Sequence, residues 1–189
     1  MAIVPAAARR AAAQSVARRC RRAEQVIRAL RQDYPDADCA LNYRTAWQLL
    51  VATILSAQCT DERVNKVTRT LFRQYRSVRA FADAPPEELE EAIRSAGFFR
   101  TKARSIRGSA RQILSRHAGR VPKEMEELTA LPGVGRKTAH VVRGTWFGLP
   151  AITVDTHVGR LSRRLGLTRQ NDPTRVEGDL EQLLSPACR

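Results

Sequence analysis

The segment LPGVGRKTA, residues 131–139, decides the fold of this chain, and the segment VDTH, residues 154–157, follows it. Hydrophobic periodicity predicts a short helix over about 124–130 and a second helix over about 136–147. The proline and glycines between them are residues that end one helix and reverse the chain before the next. The segment therefore predicts a hairpin of two helices joined by a tight, glycine-rich turn.

The turn of this hairpin contains Gly133 and Gly135. Glycine adopts backbone torsions that are closed to other residues, and it lets a second backbone come close. The N–H groups at the start of the next helix, beginning at Arg136, lie at the positive end of the helix dipole and favour a phosphate. Many tight helical corners also use glycine, so the turn alone is compatible with a packing role. The basic residues of the full segment favour a DNA phosphate as its ligand.

Lys137 lies in the first turn of the second helix. The helix field there disfavours a cation, and partial burial would add to this effect, moving the amine towards the neutral form that a nucleophile needs. The alternative is a lysine that only contacts phosphate. Asp155 stands where the next helix is predicted to begin, so it is placed to cap that helix. As a partner of Lys137, it would instead stabilise positive charge on a deoxyribose ring or help to deprotonate the amine.

The charge of the chain favours a polyanionic partner over an unpartnered basic surface. Its 189 residues contain 33 Lys and Arg against 19 Asp and Glu, a net charge of +14. Residues 1–23 hold six arginines and no acidic residue, a composition that is also typical of transit peptides. We interpret them as a basic extension, because they merge directly into a predicted helix. No apolar run reaches the roughly 18 residues that cross a bilayer, so we expect an intracellular protein of the cytoplasm or nucleoid.

Helical periodicity dominates the rest of the sequence. The single strand-like run, residues 151–154, is too short to found a sheet, so the predicted fold class is all-α. The predicted helix over 45–57 is apolar on nearly all sides, which places it in the core, and Gln58 and Asp61 follow it at the edge of that core. Asp61 is placed to cap the next helix. The predicted helices cover about residues 8–31, 45–57, 61–75, 87–96, 101–117, 124–130, 136–147, 156–165 and 174–184.

The sequence resembles the endonuclease III family of helix-hairpin-helix DNA glycosylases over about residues 24–184. The resemblance implies a two-lobed, all-helical fold that acts as a monomer on double-stranded DNA with damaged bases or abasic sites. In that fold a six-helix domain, here 39–149, contains the hairpin at about 124–147, and a second domain, here 1–38 plus 150–189, is built from both chain ends. The matching residues are LPGVGRKTA, VDTH, LSAQ at 55–58 with Asp61, and AGF at 96–98 with KA at 102–103.

The resemblance also implies a reaction and the residues that perform it. Lys137 would be the Schiff-base nucleophile that displaces a damaged base, expected to be an oxidised pyrimidine, and then cleaves the strand by β-elimination. Asp155 would be the catalytic acidic residue. Gln58 would fill the gap left by the flipped nucleotide, and Phe98 would wedge into the opposite strand. The DNA-binding residues are completed by Asp61, Gly133, Gly135 and Arg136.

Alternatives remain for the lesser residues. Gln58 and Asp61 would, in the simpler interpretation, only end and cap helices, and Phe98 would pack inwards. Residues 88–103 weakly repeat the order of helix, glycine turn and basic helix start found in the hairpin, which makes Lys102 the rival nucleophile.

Alternatives also remain for the activity. The same fold acting on another lesion, such as a pyrimidine dimer, is the near alternative. The alternative from another class is a non-catalytic or disabled hairpin protein that only binds DNA. His140 and His157 are expected to be structural or to contact phosphate in each case.

The cysteines distinguish the chain from the family it resembles. Members usually hold a 4Fe–4S cluster on four closely spaced cysteines near the C-terminus, and this sequence ends before that run would begin. Cys20, Cys39, Cys59 and Cys188 include no CxxC pair and suit neither a metal site nor a disulfide framework. We expect free or buried thiols in a reducing compartment, no cofactor in this chain, and a second domain that is incomplete at its C-terminus.

Overall fold

The computed structural model describes residues 6–184, and side chains from residue 15 onwards; Cys188 and the start of the basic extension lie outside this range. Over the described residues the chain forms ten α-helices and one 3-10 helix and contains no β-strand, so the predicted all-α class is confirmed. None of the helices in this part is long and apolar enough to cross a membrane. The α-helices are α1 (Ala6–Asp33), α2 (Ala46–Ser56), α3 (Asp61–Gln74), α4 (Val78–Asp83), α5 (Pro86–Ala92), α6 (Phe99–Arg116), α7 (Met125–Thr129), α8 (Arg136–Thr145), α9 (Thr156–Arg164) and α10 (Pro173–Leu183), with the 3-10 helix at Arg94–Ala96.

Residues 38–149 form one compact unit, with α2 at its centre. Leu50 and Leu55 have no exposed surface, as the apolar sequence of this helix predicts. Helices α3, α6 and α8 pack against α2 through their own buried stripes. Thr45 is the N-cap residue of α2, and its hydroxyl accepts a hydrogen bond from the N–H of Gln48.

The other compact unit comprises residues 1–37 and 150–189, and its described helices are α1, α9 and α10. Arg22 of α1 donates a hydrogen bond of 3.0 Å to the carbonyl oxygen of Leu165, at the end of α9. The contact holds α1 against this part of the same unit. The small buried core of the unit consists of Ala23, Ile152, Leu167, Val176, Leu180 and Leu183.

Hydrophobic periodicity does not predict α4, because this helix has only six residues. Its start is determined locally by Ser77, whose hydroxyl accepts a hydrogen bond from the N–H of Ala80. Its tertiary contribution is Phe81, which is fully buried with its ring edge-on to Trp47. The helix therefore depends on one cap and on two buried residues, Phe81 and Ala82, rather than on a repeating pattern.

Candidate functional site

The glycine-rich turn joins α7 to α8 and is fixed against α6. Gly133 has a φ of 74°, in the left-handed region that disfavours residues with a side chain. A Cβ atom at this position would lie only 2.5 Å from Cβ of Ser105 on α6. The buried side chains of Leu131 and Val134 hold the turn to the core of the same unit. Gly133 is thus required both by the backbone of the turn and by its packing.

Gly135 is the N-cap residue of α8, and nothing inside the described chain requires a glycine there. Its φ is −87°, and a Cβ atom would meet no other atom within 4 Å. It also offers no side-chain acceptor to the first N–H groups of the helix. An exposed helix start with room beside it is a favourable place for a phosphate, because the N–H groups and the helix dipole attract negative charge.

Helix α6 supports the turn through a row of small and polar residues that the sequence analysis missed. Ser109 donates a hydrogen bond of 2.8 Å from Oγ to the carbonyl oxygen of Pro132, and Gln112 donates one of 3.3 Å to the C-cap residue of α7. A Cβ atom on Gly108 would lie 3.1 Å from the ring of Pro132, so this glycine permits a close approach. Together with Ser105 these residues follow the spacing i, i+3, i+4, i+7, which places them on one helix face. Small and polar residues at this helical spacing are the sequence signal from which this face of α6 could be predicted.

Lys137 lies in the first turn of α8 and is exposed to solvent, so the expected partial burial is wrong. The buried face of α8 is formed by Ala139, His140 and Val142. The helical repeat turns Lys137 away from that face. Its amine is accessible to a reactant. His140 belongs to the packed face, in agreement with a structural role.

Asp155 is the N-cap residue of α9, as its position in the sequence predicts. Its Oδ1 atom accepts a hydrogen bond of 2.7 Å from the N–H of Val158. The residue is half-buried, whereas His157 in the first turn of the helix is exposed. The cap fixes one carboxylate oxygen and with it the orientation of the whole carboxylate.

Gln58 and Phe98 occupy two turns with the same unusual backbone conformation. Their φ values are 53° and 46°, in the left-handed region, which costs a residue with a side chain roughly 1–2 kcal/mol. Gln58 follows α2 and is exposed, and Phe98 is the N-cap residue of α6 with 68% of its surface exposed. The alternative in which Phe98 packs inwards is therefore wrong. Its neighbour Phe99 is the aromatic residue that packs against the core.

Lys102 connects these two turns. Its Nζ atom donates hydrogen bonds of 2.8 Å to the carbonyl oxygen of Leu55 and of 2.9 Å to that of Ala96. Only 5% of the residue is exposed, and burial lowers the pKa of its amine. An amine enclosed in this way is not accessible to a substrate, which argues against Lys102 as the rival nucleophile.

Asp61 does not cap α3, so that expectation is wrong. The N-cap residue is Thr60, whose hydroxyl accepts a hydrogen bond of 3.3 Å from the N–H of Arg63. Asp61 is instead the first helical residue and is exposed. Its charge is favourable there because it lies at the positive end of the helix dipole.

The side chains described in the structure do not supply a metal site. In this part of the chain no three His, Cys, Asp or Glu residues come together as potential ligands. Cys20, Cys39 and Cys59 are free thiols. They do not fit a 4Fe–4S cluster, which needs four thiolates in one place.

Known proteins match this chain over most of its length. Residues 51–186 match the HhH-GPD superfamily of base excision DNA repair proteins. Endonuclease III of Synechocystis sp. is 54% identical over 172 residues, which cover 90% of this chain and 78% of that protein. Endonuclease III of Bacillus subtilis is 48% identical over 139 residues, which cover 74% of this chain and 64% of that protein. The structure of a non-covalent endonuclease III–DNA complex matches with a TM-score of 0.84 and 45% identity, covering 88% of this chain and 78% of that one.

Proposed function

Because the chain belongs to the HhH-GPD superfamily of base excision DNA repair proteins, we propose that it is a DNA glycosylase and abasic-site lyase of the endonuclease III type. Its substrate is double-stranded DNA that contains an oxidised pyrimidine or an abasic site, and it acts as a monomer at the nucleoid. The observation that carries the proposal is the exposed Lys137, in the first turn of the helix that follows the glycine hairpin.

The hairpin supplies the attachment to DNA in this proposal. A backbone phosphate approaches the start of α8 at Gly135. A side chain there would stand in its way, although its Cβ atom would meet nothing within 4 Å in the part of the chain that the structure describes. Arg136 adds a positive charge at the same helix start. Since α6 fixes the turn through Ser109 and Gln112, the phosphate is held at a defined distance from Lys137.

Lys137 supplies the nucleophile. Its neutral amine forms a bond to C1′ of the damaged nucleotide, and the base leaves with the electron pair of the glycosidic bond and takes up a proton. The sugar ring then opens between C1′ and O4′ to give a protonated imine. This imine acidifies the C2′ proton, and its removal expels the 3′ phosphate by β-elimination. Water finally hydrolyses the imine and restores the lysine.

Asp155 supplies a negative charge for this reaction in our proposal. Positive charge develops on the sugar ring as the base departs, and a carboxylate stabilises such a transition state. The same group accepts the proton that the lysine must lose. The α9 cap holds one of its oxygens, so the carboxylate is oriented before the substrate arrives.

Gln58 and Phe98 are proposed to open the duplex. A base inside the double helix must be extruded before C1′ can be reached, and this leaves a gap in the stack. An exposed amide and an exposed aromatic ring are suited to fill such a gap from two sides.

The free thiols described above do not fit a 4Fe–4S cluster, and the proposed reaction does not pass through one.

Borohydride trapping on a duplex with one abasic site tests the proposal. Borohydride reduces the imine to a stable amine, so the wild-type protein should become covalently attached to the DNA. Lys137→Ala should abolish the adduct, while Lys66→Ala, which removes another exposed lysine of the same unit, should leave it unchanged. Trapping that survives Lys137→Ala would refute the assignment. Duplex binding by the wild-type protein without nicking would identify a non-catalytic DNA-binding protein instead.

A further inference from the structure

Two strained turns of the same unit present the side chains that the proposed function inserts into DNA. Gln58 has a φ of 53° and Phe98 a φ of 46°, and both residues are exposed. Such conformations persist only where the surrounding structure enforces them. Gly97, before Phe98, also has a positive φ of 70°, so the second turn contains two consecutive residues with positive φ. The two turns therefore need support from the structure around them.

The amine of Lys102 is that support. Its two acceptors come from different turns, because Leu55 lies three residues before Gln58 and Ala96 lies two residues before Phe98. Leu55 belongs to the last turn of α2, and Ala96 is the last residue of the 3-10 helix. Carbonyl groups at helix C-terminal ends attract a cation, since they form the negative end of the helix dipole.

Burial makes this link difficult to break. Only 5% of Lys102 is exposed, so water does not readily replace either carbonyl group. A shift of one turn relative to the other would leave a buried amine or a buried carbonyl without its hydrogen bond, which is unfavourable. The hydrogen bonds thus restrain both turns to one separation.

We propose that Lys102 is a positioning residue that locks the two turns together, so that Gln58 and Phe98 enter the duplex as one preformed unit. The inference rests on the proposed function, because it assigns these two residues to gap filling. Lys102 itself touches neither substrate nor reacting atoms. Its contribution is preorganisation: the two turns are already ordered when Gln58 and Phe98 take the place of the extruded nucleotide in the base stack. This lowers the entropy cost of binding.

The test compares duplex with single-stranded DNA, both with one preformed abasic site. A single strand has no stacked partner to separate and no gap to fill, so it reports the reactivity of Lys137 alone. Lys102→Met has a side chain of similar length but no donor. It should reduce the rate of borohydride trapping on the duplex at least tenfold and change the rate on the single strand less than threefold.

The matched control is Ile113→Ala, which changes a fully buried residue 11 positions beyond Lys102 on the same helix. It should lower thermal stability while leaving the ratio of duplex to single-strand rates unchanged. If Lys102→Met does not fold, Lys102→Gln, which keeps N–H donors but is one bond shorter, should lower the same ratio. An unchanged ratio in the folded variant overturns the positioning role. A wild-type protein that is trapped on neither substrate overturns the proposed function instead.

Adding the Lys102 substitution to a protein that already lacks both inserted side chains separates positioning from general weakening. In a protein that already carries Gln58→Ala and Phe98→Ala, there is nothing left for Lys102 to position. Adding Lys102→Met should then lower the duplex rate less than threefold further. A full additional tenfold loss would show that Lys102 acts independently of the two turns and would contradict the proposal.

Discussion

Gly133 and Gly135 belong to one turn, yet different constraints act on them. Gly133 combines a φ of 74° with a separation of only 2.5 Å between an added Cβ atom and Cβ of Ser105. Gly133→Ala should therefore destabilise the protein by about 2 kcal/mol or more, measured by denaturant unfolding. Relief of the overlap by Ser105→Gly should recover part of this loss, and a stable Gly133→Ala variant would contradict the packing described for the turn.

Gly135→Ala should separate binding from folding. Its φ of −87° suits alanine and the space beside it is open, so the expected loss of stability is at most about 1 kcal/mol, typical of an N-cap change. The added methyl group points at the proposed phosphate position. Binding to an abasic duplex, measured by fluorescence anisotropy, should weaken at least tenfold. Unchanged affinity would remove the hairpin from the proposed DNA interface.

The sequence predicts where the site residues lie in the helices better than it predicts their exposure and their contacts. Lys137 is placed correctly in the first turn of α8, because glycine and proline mark the turn before it. Its exposure is not predicted, since burial depends on which face of α8 meets α2, and that is a tertiary property. The link through Lys102 escapes prediction for the same reason: it joins residues 47 positions apart in the chain.

At the level of elements, the start of α9 combines the helix cap made by Asp155 with the role proposed for this residue in the reaction. Asp155 caps this helix through Oδ1, and the proposed reaction also uses its charge. Asparagine caps helices about as well as aspartate, so Asp155→Asn should change the unfolding free energy by less than about 0.5 kcal/mol. Asp155→Ala should cost about 1 kcal/mol.

Both Asp155 variants should lower single-turnover excision by at least 100-fold if the charge acts in the reaction. The asparagine variant is the decisive one, because it keeps the cap and removes only the charge. Excision by Asp155→Asn at the wild-type rate would leave Asp155 as a helix cap alone. Circular dichroism of the two variants provides the control for folding.

Helices with a long repeating pattern are predicted well, and short ones depend on signals that periodicity does not contain. The predicted range 136–147 is close to α8, whereas α4 is missed because its six residues contain only one cap and one large buried side chain. The predicted helix over 87–96 is in fact α5 followed by the 3-10 helix. The 3-10 helix matters, because Lys102 binds the carbonyl group of its last residue, Ala96, and the turn that follows it exposes Phe98.

On the scale of the whole molecule, the net charge of +14 predicts that affinity for DNA falls as salt is added. Each phosphate that Lys or Arg neutralises releases counterions. Each such contact therefore lowers the logarithm of the binding constant by about 0.9 for every tenfold increase in salt concentration. We expect affinity for undamaged duplex to fall at least ~100-fold between 50 and 200 mM salt, which corresponds to about four phosphate contacts. Thermal unfolding at both concentrations checks that the fold is unchanged.

Gly135→Ala should then weaken binding at every salt concentration without changing the slope. In the proposed function the hairpin binds its phosphate through backbone N–H groups, which are uncharged, whereas the slope counts the cationic side chains that meet DNA. Removing one such side chain, as in Arg136→Ala, should instead reduce the slope by about one contact. When the logarithm of the binding constant is plotted against the logarithm of salt concentration, wild type and Gly135→Ala should give parallel lines. Arg136→Ala should give a shallower line. A shallower line for Gly135→Ala would mean that the turn acts by placing charged residues rather than by binding the phosphate through its own backbone.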